Sequence, residues 1–151
     1  MYDRSIVPKN FKVPEELKTK DFMLRPLKIN DLIKDYEAVM SSVEHLRGRM
    51  DESDWPVGLT IEENLIDLGW HQREFTLGHS FAYTVASLDG KDCLGCCYIY
   101  PSEKSESEVD VFYWIRQDRL AEGLENRLGE ALKKWLQDVW PFKTFDFPGR
   151  I

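Results

Sequence analysis

The apolar positions along the first half of the chain change their period several times, and each period predicts one element. Residues 21–27 alternate as a strand does, and the stretch after Asn30 has apolar residues at helical spacing. Residues 47–59 carry turn and breaker residues without a period, which predicts a loop. Thr60 and Glu63 form the T-x-x-E pattern that opens a second helix. The apolar side of that helix is predicted to consist of Ile61, Leu65, Leu68 and Phe75.

The second half of the chain is predicted to form a meander, a long helix and a last strand. Residues 80–87 and 93–100 are joined by an Asp-Gly turn and predict a hairpin, and residues 108–116 predict the next strand. A helical stripe then runs to Pro141, and residues 142–147 predict a strand parallel to 108–116 because a crossover helix separates the two. The stripe consists of Leu120, Leu124, Leu128, Ala131, Leu132, Trp135 and Val139. The order β-α-α-β-β-β-α-β predicts an α+β fold with a mixed, mostly antiparallel sheet flanked by helices.

Composition and charge favour one folded domain and argue against nucleic-acid and membrane partners. The chain has 151 residues, of which 42% are hydrophobic and 13% aromatic, which is enough to bury a core. Residues 1–20, with two X-Pro steps, are predicted to be an N-terminal arm, and residues 21–151 a single domain. A formal net charge of -7 repels nucleic-acid phosphates and anionic lipids. The N-terminus has no signal-peptide pattern, so we expect a cytoplasmic protein.

A single glycine, Gly123, joins the strand 108–116 to the long helix. Such a junction exposes unpaired backbone N–H groups at the positive end of the helix, where phosphate groups bind. A plain turn between strand and helix is the commoner explanation of one glycine at this spacing. Spacing alone leaves both interpretations open.

Several segments resemble the GCN5-related N-acetyltransferases, the GNAT superfamily, over residues 21–151. These segments are DFMLRPLKINDL, EENL, FAYTV, LGCCYIY and VDVFYWIR, followed by Gly123-Leu124 and a long helix. The resemblance implies acetyl-coenzyme A as cosubstrate, with its pantetheine arm paired to the backbone of Tyr113 and Ile115 between two splayed strands. It also implies transfer of the acetyl group to a primary amine of a small molecule or a peptide.

The pyrophosphate loop that the resemblance implies departs from the family pattern Q/R-x-x-G-x-G/A. In one register Gly123 matches the first glycine, but Glu125 adds bulk and negative charge where a small residue usually lets the phosphate approach. In a second register Arg116, Arg119 and Ala121 take the three pattern positions and the glycine is lost. Both registers stay open.

The sequence stops at Ile151, before the helix that often carries a catalytic tyrosine in the family. This departure and the degenerate loop favour an alternative function, namely a catalytically inactive GNAT-like module that binds acyl-coenzyme A or a protein partner. An open sheet edge at the last strand would also permit pairing with a second copy as a homodimer.

Two acids near the start of the strand 108–116 are candidates for the catalytic base. Deprotonation of the amine needs a carboxylate, or a water held by one. Asp110 is the first candidate because it lies five residues before Ile115, where family members carry a glutamate. Glu108 shares its face by strand parity. Both residues could instead be solvated acids at a strand end.

Four polar residues follow one side of the second helix, namely Glu63, Asp67, His71 and Glu74. They could form an acidic cleft wall that attracts a cationic amine, with His71 as an alternative base. The solvated face of an amphipathic helix is the commoner explanation. Trp55 and Trp70 flank the acceptor cleft that the resemblance implies, although core packing is equally compatible with their positions.

Three cysteines, Cys93, Cys96 and Cys97, lie on one predicted strand. A closed zinc site takes four ligands, and neighbouring residues on a strand point to opposite faces. The cysteines are therefore predicted to be small buried core residues, and no metal is expected.

Overall fold

A computed structural model describes residues 4–50, 53–104 and 106–150. Six strands form one sheet in chain order. The strands are β1 (Leu17–Lys18), β2 (Met23–Pro26), β3 (Phe81–Ala86), β4 (Cys93–Pro101), β5 (Val109–Ile115) and β6 (Phe145–Asp146). Neighbouring strands are antiparallel except for β5 and β6, which are parallel. The predicted α+β fold with a mixed, mostly antiparallel sheet is confirmed. Residues 1–3 of the predicted arm, Asp51 and Glu52 of the predicted loop, and Ile151 lie outside the described residues.

Four α-helices in the described part of the chain flank the sheet: α1 (Leu32–Met40), α2 (Val43–Leu46), α3 (Ile61–Leu77) and α4 (Leu124–Asp138). The predicted capping box opens α3, since Thr60 Oγ1 accepts the Glu63 N–H at 3.1 Å and the Glu63 carboxylate accepts the Thr60 N–H at 2.9 Å. Gly78 ends α3 in the left-handed conformation, at φ 75°. Among the residues that the structure describes, no helix is long and apolar enough to cross a membrane.

Two hydrophobic cores lie on the two faces of the sheet. One core packs α4 and part of the N-terminal arm against β2 to β5. The other packs α1, α2 and α3 against the opposite face of the sheet, with Trp114 at its centre. The arm is joined to the sheet, because β1 pairs with β2 and the Tyr83 hydroxyl donates to the Pro14 carbonyl at 2.6 Å.

The predicted apolar side of α3 was partly wrong. Leu68 is buried, but Leu65 is 43% exposed. The buried positions include the polar Asn64 and Glu74 instead. Burial of these polar groups is compensated in part, because Asn64 donates to Asp35 and Glu74 Oε2 accepts from the neighbouring Arg73, whereas Glu74 Oε1 has no hydrogen-bond partner among the described residues.

The predicted stripe of the last helix is interrupted at Gly123. Leu120 belongs to a separate 3-10 helix, Gln117–Glu122, and Gly123 turns the chain with φ 73° before α4 begins. Val139, at the other end of the stripe, is 47% exposed. The periodicity continued through the turn because Leu120 precedes Leu124 by four residues, the spacing of one helical turn.

Strands β5 and β6 touch at one end and then separate. They pair at Val109 with Phe145 and at Asp110 with Asp146. Within the described residues, the remainder of β5 has no strand beside it on that edge. The predicted strand 142–147 is therefore shortened to two residues, and a V-shaped gap opens along β5. Both outer strands of the sheet have two residues and offer only a short edge for pairing. Edge pairing with a second copy stays a prediction.

Candidate functional site

Side chains of the protein itself occupy part of the gap beside β5 and pair with its backbone. Arg150 Nη2 donates to the Tyr113 carbonyl at 2.5 Å, and its guanidinium carbon lies 4.0 Å from the centroid of the Tyr113 ring. The Ile115 N–H donates to Glu125 Oε2 at 3.2 Å. These two backbone groups are the ones predicted to pair with pantetheine. Both face the gap, and each has an internal partner that a ligand on this edge would displace.

Glu125 sits at the centre of a charged cluster in the gap. Its carboxylate accepts from Arg150 Nη1 at 2.7 Å and lies 2.7 Å from His45 Nε2, in addition to the bond from Ile115. Burial alone would raise the pKa of Glu125, but Arg150, His45 and the Ile115 N–H together lower that pKa below its ordinary value. The carboxylate therefore points along β5, and its charge is balanced by Arg150.

A cavity of about 270 Å³ lies on the other side of β5, between α1, α3 and β4. Six rings contribute to its wall: Trp55, Trp70, His71, Tyr98, Tyr100 and Phe112. The carboxylates of Asp35 and Asp67 also line it. The structure thus brings three of the predicted substrate residues together in one cavity. The fourth, Glu63, lies outside this lining because its carboxylate caps α3.

A second cavity, of about 220 Å³, lies in the gap itself beside Tyr113 and Arg150. Both cavities are lined by Met50 and Phe112. A molecule along the β5 edge and a molecule in the aromatic cavity would therefore meet at Phe112.

His71 is the ionisable ring in the aromatic cavity. Its imidazole stacks on Tyr98, with ring centroids 5.3 Å apart and planes inclined by 23°. Its Nδ1 is buried and has no hydrogen-bond partner among the described residues. Burial lowers the pKa of His71 to about 4, so the ring is neutral at pH 7. The ring is a weak base at pH 7 because burial disfavours its charged form, and its unpartnered nitrogen is the atom that would accept a proton.

Comparisons with solved structures find acetyltransferases, whereas no protein-family model and no curated protein matches the sequence. The ribosomal-protein-S5-alanine acetyltransferase from Vibrio fischeri is 14% identical, with a TM-score of 0.65 over 80% of this chain and 66% of that chain. A ribosomal L7/L12 α-N-protein acetyltransferase in complex with coenzyme A is 16% identical, with a TM-score of 0.67 over 81% of this chain and 67% of that chain. This chain has the GNAT fold. The resemblance inferred from sequence is thereby confirmed for the fold.

An acetyltransferase from Thermus thermophilus shares the GNAT fold as well, at 19% identity and a TM-score of 0.57, over 77% of this chain and 70% of that chain. The chain described here spans about two thirds of the length of the ribosomal-protein acetyltransferases, 66% and 65% for two of them.

The start of α4, where the family resemblance implies a pyrophosphate site, has Gly123 at its N-cap. No side chain among the described residues caps this helix. Leu124 is buried in the core, so its backbone is the part that could meet an anion. Ala121 lies exposed in the preceding 3-10 helix. The uncapped N–H groups fit a phosphate, which the first register of the loop requires.

The two arginines of the second register are both paired with carboxylates. Arg116 donates to Glu37 at 2.7 and 2.8 Å and to Asp118 at 2.7 Å, and the bond to Glu37 is the main cause of its raised pKa. Arg119 is paired with Glu122 through two hydrogen bonds. Arg116 therefore connects the end of β5 to α1, and a phosphate would have to compete with two carboxylates for it.

The two acids predicted as bases occupy different environments. Glu108 Oε1 accepts the Lys143 N–H at 3.0 Å, so it holds the segment that leads to β6. Asp110 Oδ1 is buried and has no hydrogen-bond partner in the described part of the chain. Asp110 faces Tyr100 across the ladder but does not belong to the lining of the aromatic cavity. The catalytic role of either acid stays a prediction.

The three cysteines are free and buried, as predicted for small core residues. Cys96 Sγ donates to Asp35 Oδ1 at 3.3 Å, and Asn64 Nδ2 donates to Asp35 Oδ2 at 2.9 Å. Burial raises the pKa of Asp35, although both of these hydrogen bonds lower it. Asp35, Cys93 and Cys96 place possible ligand atoms within 4.8 Å of one another, which is one ligand fewer than a closed zinc site has.

Proposed function

We propose that this protein transfers an acetyl group from acetyl-coenzyme A to a primary amine. The observation that carries the proposal is the meeting of two cavities at Phe112, one along the edge of β5 that does not pair with β6 and one walled by aromatic rings. The GNAT fold supports it, because structures with this fold include acetyltransferases and one complex with coenzyme A. A cytoplasmic location belongs to the same proposal and is compatible with three free thiols.

The donor would lie in the V-shaped gap. Its pantetheine amides would replace Arg150 at the Tyr113 carbonyl and Glu125 at the Ile115 N–H. Its pyrophosphate would lie at the uncapped start of α4, where the backbone N–H groups and the helix dipole favour an anion. This placement directs the thioester toward Phe112 and the aromatic cavity.

The acceptor would lie in the aromatic cavity with its nitrogen near Phe112. The amine would first lose its ammonium proton to solvent, and His71 would take a second proton from the nitrogen as it attacks the thioester carbonyl. The new bond joins nitrogen to the acetyl carbon, the bond from that carbon to sulfur breaks, and the thiolate leaves to be protonated by solvent. Asp110 is a second candidate for the base, because it also has an unpartnered buried oxygen.

A non-catalytic acyl-coenzyme A binding module is the second candidate. The specific observation in its favour is that Arg150 and Glu125 occupy the β5 edge. Any ligand that pairs with this edge must first displace both side chains from the β5 backbone, and this step would slow each catalytic cycle. The same observation is compatible with catalysis if the coenzyme displaces both side chains.

The experiment is an acetylation assay with acetyl-coenzyme A and a panel of primary amines, read by mass spectrometry of the products and by release of free thiol. We expect an N-acetylated amine and one thiol for each product. The variant His71→Gln should lose about 100-fold or more of the rate, as expected for removal of a general base.

The matched control for this assay is Glu62→Gln, an exposed position at the start of α3, which should keep the full rate. Binding of acetyl-coenzyme A without any product across the panel would refute the catalytic proposal in favour of the binding module. An unchanged rate in His71→Gln would remove His71 from the mechanism.

A further inference from the structure

The aromatic cavity combines ring faces with carboxylates. Tyr98 and Tyr100 stack in parallel, with centroids 6.0 Å apart and planes inclined by 2°, and His71 stacks on both. Trp70 stands edge-on to His71 at 5.1 Å. Faces of tyrosine and tryptophan attract an organic cation electrostatically, and they also bind the apolar body that carries it.

The charged groups that line this cavity are all acids. Asp35 and Asp67 belong to the lining, which includes no lysine or arginine among the described residues. Asp35 is already engaged by Asn64 and Cys96. Asp67 is an exposed residue of the lining, and partial burial of its carboxylate, followed by the nearby charge of Glu63, raises its pKa. Asp67 is thus the carboxylate that is placed to pair with a bound cation.

We propose that the acceptor is a small primary amine with an apolar, ring-sized body and no carboxylate, held by the aromatic wall and by Asp67. This inference rests on the proposed acetyl transfer but concerns which amine is bound. The cavity, at about 270 Å³, is smaller than the pockets of about 300 to 1,000 Å³ that hold drug-sized ligands.

An amino acid is disfavoured by the same wall. Its carboxylate would enter a cavity that already holds Asp35 and Asp67, with no lining cation among the described residues to pair with it. A peptide with a free N-terminus lacks that penalty, but most of its length would remain outside a cavity of this volume. We therefore expect the cavity to bind a ring-bearing monoamine more tightly than the amino acid with the same side chain.

The test compares three probes with one ring and one two-carbon chain: 2-phenylethylamine, phenylalanine and 2-phenylethanol. Binding is measured by calorimetry on the full chain, both alone and saturated with coenzyme A. We expect the amine to bind at least about tenfold more tightly than either of the other two, because it alone has a cation without a carboxylate.

The variant Asp67→Asn keeps the size of the side chain and removes its charge. It should lower the affinity for 2-phenylethylamine about tenfold while leaving 2-phenylethanol unchanged. Glu62→Gln, on the same helix and outside the cavity lining, is the control and should bind all probes as the wild type does. Thermal unfolding checks that both variants are folded.

Equal or tighter binding of phenylalanine or 2-phenylethanol would overturn the inference, and so would an undiminished amine affinity in Asp67→Asn. Acetylation of peptides by a protein that binds no monoamine would also overturn it, while the proposed acetyl transfer would stand. Selective amine binding without any acetyl transfer would support the inference on the ligand and refute the proposed function.

Discussion

Removal of the Arg150 guanidinium should make coenzyme A bind more tightly. In the structure this group donates to the Tyr113 carbonyl at 2.5 Å and to Glu125 at 2.7 Å, and it lies over the Tyr113 ring. A ligand that pairs with the β5 edge must first break the bond to the Tyr113 carbonyl. Arg150→Met keeps much of the apolar stem and removes the competing donors.

The magnitude follows from one charge-assisted hydrogen bond that is partly open to solvent. Such bonds contribute about 1.5 to 3 kcal/mol when buried, and the Arg150 side chain is 26% exposed, so we expect a smaller contribution here. A gain of about 1 to 2 kcal/mol corresponds to a dissociation constant lowered about 5- to 30-fold.

The assay is calorimetric titration of coenzyme A into wild type, Arg150→Met and Lys134→Met. Lys134 is an exposed cation on α4 that pairs with Asp138 at 3.0 Å, so it controls for the loss of one positive charge. Lys134→Met should bind as the wild type does, or slightly more weakly. An unchanged or weaker affinity in Arg150→Met would refute the displacement argument and would indicate that Arg150 binds the coenzyme instead.

Two further predictions concern stability. A Cβ added at Gly95 would lie 1.9 Å from the Trp114 carbonyl oxygen, so Gly95→Ala should lower the free energy of unfolding by about 3 kcal/mol in urea titrations. A Cβ added at Gly69 would have its nearest neighbour at 3.9 Å, so Gly69→Ala should not be destabilising. Because burial lowers the pKa of His71 from 6.5 to about 4, the unfolded chain takes up a proton in this range that the folded protein does not. The stability associated with neutral His71 is complete above pH 6.5 and is lost as the pH falls to about 4, so between pH 7 and 4 the wild type should lose about 3 kcal/mol more than His71→Phe. An equal loss in both proteins, or a Gly95→Ala variant of wild-type stability, would contradict these arguments.

The order and type of β2 to β6 followed from the sequence because their patterns are local, whereas β1, in the predicted arm, was not predicted. Alternation, the Asp-Gly turn and a long crossover stripe predicted the meander and the parallel last strand without any knowledge of packing. The V-shaped gap was implied by the family resemblance. Its length was not predictable, since the pairing of β6 with β5 stops after two residues for reasons of tertiary structure.

The aromatic cavity could be predicted in part. Trp55, Trp70 and His71 were identified from their place around the second helix, and the structure puts them in one wall. Tyr98, Tyr100 and Phe112 were missed, although strand parity places the two tyrosines on one face. The register between β4 and β5 brings Phe112 opposite Tyr98, and that register cannot be read from composition or periodicity.

The sequence did not predict that Arg150 and Glu125 pair with the backbone of β5. From the sequence, Glu125 was interpreted as an obstacle to a phosphate. A sequence shows the charge of a side chain but not the direction in which the side chain points. The structure turns this carboxylate toward Arg150, which follows it by 25 residues, and toward His45, which precedes it by 80. Such contacts between distant residues depend on the folded topology, so local patterns could not reveal them.

Calorimetric titration of acetyl-coenzyme A into the wild-type protein, combined with a thermal-shift measurement at saturating ligand, tests directly whether the gap beside β5 binds the coenzyme. We expect saturable binding with one molecule per chain, a higher unfolding temperature, and tighter binding in Arg150→Met. No heat and no thermal shift at high ligand concentration would contradict the claim that the gap beside β5 is a coenzyme A site.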